Sequence, residues 1–142
     1  MERIKYLFIF FAIILLSGFG NCTFAEESTL SALITPRNVE FESCTKQYNI
    51  PPEKLYYLTA GAINANRFEV QELQSKTGYI LFKAVGKEFL ASIVKLGTQK
   101  SMLKITPTDG NYYFAPGIVS NTFKYIDLNA SAPLTQVKPV TN

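Results

Sequence analysis

Three features of the sequence predict a two-layer α+β domain, with an antiparallel sheet of four to five strands and an N-terminal and a C-terminal helix on one face. Residues 77–105, TGYILFKAVGKEFLASIVKLGTQKSMLKI, read as three strands in a row. A proline-led segment with apolar residues at helical spacing precedes them. A second such segment follows.

The chain has 142 residues, room for one domain. Residues 1–25 read as a secretory signal peptide. Arg3 and Lys5 give a positive start, residues 6–16 an apolar run, and Thr23-Phe24-Ala25 a cleavage point flanked by small residues. The run is short for a membrane span, which needs about 20 residues. The alternatives are an uncleaved anchor and a lipid-modified Cys22, for which Phe19-Gly20-Asn21 is a poor lipobox. The expected location is therefore periplasmic or secreted, with lipid anchoring through Cys22 as the alternative. Membrane association would need that lipid or a retained signal. Cleavage after Ala25 would remove Arg3, Lys5 and Glu2 and lower the net charge from +3 by one. Lysines spread singly at so low a charge imply no nucleic-acid partner.

Residues 26–49 read as an extended lead-in. Within it, Val39 and Phe41 alternate with polar neighbours, as in a short edge strand or a docking arm, and 45–50 reads as a linker. The α+β domain is expected at 50–129. Pro51-Pro52 opens the first helix, since proline suits a first turn whose N–H groups are unpaired anyway. Glu53 complements the helix dipole there. Leu55, Leu58, Ala62 and Ile63 form its apolar stripe, and it should run to about Arg67. Gly61 implies close contact with the sheet. Residues 68–74 begin a strand with Phe68 and Val70 inward, and Glu72-Leu73 breaks the alternation, the mark of a bulge or an early end.

In the central hairpin, a type II′ turn at Gly86-Lys87 would pair Ala84 with Phe89, Phe82 with Ala91 and Ile80 with Ile93. Those six define the buried face. An odd-length loop at Gly97-Thr98-Gln99 would set Ile93 opposite Leu103 and Ala91 opposite Ile105. Pro107 ends that strand because it cannot donate to a ladder. Residues 106–110 form a turn, and 111–114 a short strand. Pro116 opens the second helix, with Val119, Thr122, Phe123 and Ile126 inward and an end near 127–129. Residues 130–142, with two prolines and no periodicity, read as a disordered tail.

Residues 50–129 resemble the helix-grip modules of BamC-type outer-membrane assembly lipoproteins and of small exported proteins with the same layout. The resemblance rests on the order of elements and on a Pro-led first helix followed by a Phe-x-Val strand. The chain departs from that type in having one module rather than two. The resemblance implies an envelope accessory role without catalysis.

The sequence has no histidine, which removes Ser-His-Asp and Cys-His catalysis and every His-ligated metal site. No Gly-rich phosphate loop is present. No catalytic, cofactor-binding or metal-binding residues are therefore assigned, and the protein is expected not to be an enzyme. The acids Glu69, Glu72, Glu88 and Asp109 sit in strand or turn positions, and Glu69 and Glu72 face apart unless a bulge intervenes. Cys44 stands alone if Cys22 is cleaved away, as a possible free thiol. The candidate interaction surface is Tyr79, Leu81 and Leu90 on the second sheet face, with Tyr57 and Tyr112 as further aromatic contacts. Val85, Val94 and Leu96 make that face more apolar than solvation requires. The expected function is a non-catalytic exported domain that binds another envelope protein. The alternative is a small carrier holding an apolar or lipid ligand between the first helix and the sheet.

Overall fold

Alternation along the central strands sends Ile80, Phe82, Ala84, Phe89, Ala91, Leu103 and Ile105 to one face, and all are buried. A computed structural model describes residues 31–133. Two compact units divide the chain, 1–32 and 33–142, and the elements below belong to the second. The signal-peptide reading at 1–25 and most of the tail reading at 130–142 fall outside the described residues.

The elements, in order, are β1 (Arg37–Asn38), a 3-10 turn (Phe41–Cys44), β2 (Thr45–Tyr48), α1 (Pro52–Ala65), β3 (Glu69–Gln74), β4 (Tyr79–Ala84), β5 (Lys87–Gly97), β6 (Lys100–Pro107), β7 (Tyr113–Phe114) and α2 (Gly117–Asn129). The fold is two-layer α+β. Its main sheet has five antiparallel strands in the order β2-β6-β5-β4-β3, and β1 and β7 form a separate ribbon. The sheet's first strand thus lies beside its last, and α1 carries the chain from one edge to the other. Both helices contribute to one core, through Leu55, Leu58, Ala62 and Ile63 of α1 and Ile118, Val119 and Ile126 of α2.

The stretch read as a linker, 45–50, contains β2, and the compact unit therefore begins well before residue 50. Only Tyr48 is buried in β2, so no apolar alternation announces the strand. Lys46 faces the helices and pairs with Asp127 of α2 at 2.6 Å, with its ammonium 5.5 Å from the centre of the Tyr48 ring and 6.0 Å from that of Phe123. The Tyr48 hydroxyl is sealed in the core without a hydrogen-bond partner, a burial worth about 1–3 kcal/mol against folding.

The central hairpin differs from expectation by two residues. Ala84 pairs with Lys87, Phe82 with Phe89 and Ile80 with Ala91. The turn residues are Val85 and Gly86, both at positive φ (50° and 75°), which makes a type I′ turn rather than II′. A two-residue shift keeps every side chain on its face, so the core assignment survives the change of register. Valine is poorly suited to the left-handed region, and Val85 is 82 % exposed, so it gains nothing from packing. Val85→Asn should stabilise the domain by about 1 kcal/mol. Thermal melting should show a rise of roughly 4–8 °C.

The β5–β6 hairpin keeps the expected pairs, Ile93 with Leu103 and Ala91 with Ile105. The loop itself is the two residues Thr98-Gln99, and the odd residue is Leu96, bulged from β5. The expected bulge in β3 also forms, between Val70 and Glu72. Val70 pairs with Phe82 on the inner side but remains exposed, as does all of β3.

Helix α1 stops at Ala65 rather than near Arg67. Arg67 takes the left-handed position (φ 57°), and the N–H groups of Arg67 and Phe68 donate to the carbonyls of Asn64 and Ile63. This is a Schellman ending with arginine where glycine is usual. Gly61 packs on the Tyr125 ring of α2, not on the sheet, and a Cβ there would stand 3.2 Å from the Tyr125 hydroxyl.

A run of aromatic rings joins distant parts of the chain. Phe68 stacks on Phe82 and Phe82 on Phe89, at centroid spacings of 5.8 and 5.6 Å. Phe89 meets Phe114 edge to face at 5.1 Å, and the run continues through Tyr112 to Phe41.

Candidate functional site

The second face of the sheet is built by the residues that alternate with the core. Cross-strand pairing places Leu81 opposite Leu90 and Val94 opposite Met102, while Tyr79 lies opposite Ser92. All six are half-buried. The helices and the β1–β7 ribbon pack on the other side. Among the described residues no element of secondary structure is packed on this face.

Its rim is polar. Gln71 is the bulged residue of β3, so Glu69 and Glu72 pair with Lys83 and Leu81 and lie on the same face after all. Lys104 and Thr45 continue the row that contains Tyr79 and Ser92. The Tyr79 hydroxyl donates to Glu72 at 2.9 Å, and the Gln74 amide donates to the same oxygen. These two hydrogen bonds hold the Glu72 carboxyl below its ordinary pKa, while the bond to Glu72 pushes the Tyr79 phenol up. A carboxylate held ionised in this way is the opposite of what a general acid requires. The same bonds fix the Tyr79 ring at the edge of the apolar centre.

The five proposed contact residues do not form one surface. Tyr79, Leu81 and Leu90 come together on the open face. Tyr57 lies on α1, in the helical layer, 54 % exposed and edge-to-face with Tyr56. Tyr112 is half-buried in the aromatic run between Phe41 and Phe114. Val85 belongs to a turn tip and Leu96 to a bulge. Met102 was missed by sequence reasoning, although its alternation with Leu103 would have found it.

Side chains fill the space between the middle of α1 and the sheet, and an open cleft of about 280 Å³ lies beside the first turn of that helix. Leu55, Leu58, Ala62 and Ile63 meet Ile80, Phe82, Phe89 and Ala91 in one core.

Cys44 is fully buried and free. Burial pushes its thiol up to about 11 from an ordinary 9.0. Such a thiol stays protonated and hidden near neutral pH, which removes it as a reactive group. Because the folded pKa is raised, this contribution to stability is fully present below about pH 9 and is lost as pH rises towards 11. Denaturant melts should show that loss, about 2 kcal/mol, in the wild type and its absence in Cys44→Ala.

Among the described residues, no three His, Cys, Asp or Glu side chains gather as a metal site, and no helix is long and apolar enough to cross a membrane. The chain matches no protein-family model and no curated protein.

Proposed function

We propose that this chain is a non-catalytic, exported domain of the cell envelope that binds another envelope protein through the open face of its sheet. The supporting observation is the composition of that face. Leu81, Leu90, Val94 and Met102 form an apolar centre over which no layer packs among the described residues, ringed by Glu69, Glu72, Lys83 and Lys104. An apolar centre with a charged rim is the usual anatomy of a protein–protein contact. Export rests on the pattern of residues 1–25, and the accessory role implied by the BamC resemblance belongs to the same proposal.

The test is affinity capture from an envelope extract, with size-exclusion mass measured in parallel. Leu81→Asp places a charge at the centre of the contact and should weaken capture at least tenfold. It should leave the melting temperature within a few degrees, because the side chain is outside the core. Capture that is indifferent to Leu81→Asp and to Leu90→Lys would remove the reading.

A further inference from the structure

Strand β3 ends the main sheet on the side away from β2. All six of its residues, Glu69–Gln74, are exposed. Among the described residues β3 pairs with β4 alone. Its outward N–H and C=O groups therefore meet no further strand, and no proline interrupts them.

The two sides of this edge differ. Val70 and Leu73 stand opposite Phe82 and Ile80 on the helical side. Phe82 and Ile80 are fully buried, whereas Val70 is 40 % and Leu73 54 % exposed. The helical layer thus covers β4 and stops short of β3, leaving a shelf of two apolar side chains beside the open backbone. The other side carries Glu69 and Glu72, opposite Lys83 and Leu81. Gln71 donates to Glu69 at 2.8 Å, and Gln74 and Tyr79 donate to Glu72 at 2.9 Å. Those donors are neutral. The ion pairs among the described residues are Lys46–Asp127 and Lys87–Asp109, so neither β3 carboxylate is matched by a cation.

An open edge accepts an added strand: main-chain bonds supply affinity, and side chains on the two sides select the partner. A second copy of this chain is a poor occupant. Antiparallel pairing of two β3 strands that sets Val70 beside Leu73 also brings the Glu69 and Glu72 carboxylates of both copies into one row, and like charges across strands oppose pairing. The bulge at Gln71 would have to be met by a second bulge. A strand that brings cations to the same row meets no such opposition.

We infer that β3 takes an extended segment of another protein as a further strand, one in which apolar side chains alternate with lysine or arginine. The basic side chains face Glu69 and Glu72, and the apolar ones extend the shelf of Val70 and Leu73. The inference concerns the edge of the sheet rather than its open face, and either can stand without the other.

The test is an NMR titration of the ¹⁵N-labelled full chain, with a short peptide of alternating lysine and valine as the probe. It should give saturable shifts along residues 69–74 and slow amide exchange there. A peptide of alternating glutamate and valine should bind at least tenfold more weakly. So should a peptide with the same lysines and valines sorted into two blocks, which keeps the charge and loses the alternation. Glu69→Lys/Glu72→Lys should reverse the order of the two alternating peptides, with spectra away from β3 unchanged. A reversal separates an altered contact from a lost fold. Absence of saturable shifts overturns the inference, as do shifts centred on Leu81 and Leu90. Equal binding of the blocked peptide, or an order that the double variant leaves unchanged, overturns it as well. So does a peptide-free dimer with its β3 amides protected, which would give the edge to a second copy.

Discussion

Phe89→Ala should unfold most of the population under mild denaturant. Phe89 is fully exposed to the core and not at all to water, stacked on Phe82 at 5.6 Å and edge-to-face with Phe114 at 5.1 Å. It joins the five-stranded sheet to the β1–β7 ribbon. Truncation removes contacts on both sides and leaves a cavity between two elements that cannot easily close. Such Phe→Ala changes cost about 3–5 kcal/mol. A domain of this size has about 5–15 kcal/mol in all. Phe41→Ala, at the exposed end of the same aromatic run, should cost about 1 kcal/mol or less. Urea melts of the two variants would show the contrast, and equal losses would contradict the role given to the run.

Gly78→Val should be the next most damaging change, at about 3 kcal/mol. Two strains add there. Gly78 sits at φ 74°, where a β-branched residue is strongly disfavoured. A Cβ would also stand 3.0 Å from the carbonyl oxygen of Ile93, which is backbone and cannot swing aside. The Ile93 N–H donates to the Gly78 carbonyl at 2.7 Å, so movement to relieve the clash would disturb this bond too. Gly86→Val separates the two causes. Gly86 has the same φ but open space around it, so this change should cost only the conformational part. A urea melt that ranks Gly86→Val at or above Gly78→Val would contradict this account.

Faces were legible because parity is written in alternation: Ile80, Phe82 and Phe89 are buried whichever even register holds. Register was not legible, because Gly86 can serve as either turn residue and nothing in the sequence announces a valine at positive φ. Strand β2 was hidden because its helix-facing lysine finds a carboxylate 81 positions away. Gly61 was rightly read as a close-contact residue and given the wrong neighbour, since spacing along a helix does not say which element lies across from it. The open face was legible at Tyr79, Leu81 and Leu90, while Tyr57 and Tyr112 entered on residue type alone.

Site-specific photo-crosslinking in the living cell tests the docking surface most directly. A benzophenone side chain at position 81 looks out from the open face, and one at position 57 looks out from the helical layer. A single partner-sized adduct from position 81, lost on adding Leu90→Lys, with none from position 57, is the predicted result. An adduct from position 57 with none from position 81 would place the partner on the other side of the molecule and contradict the account.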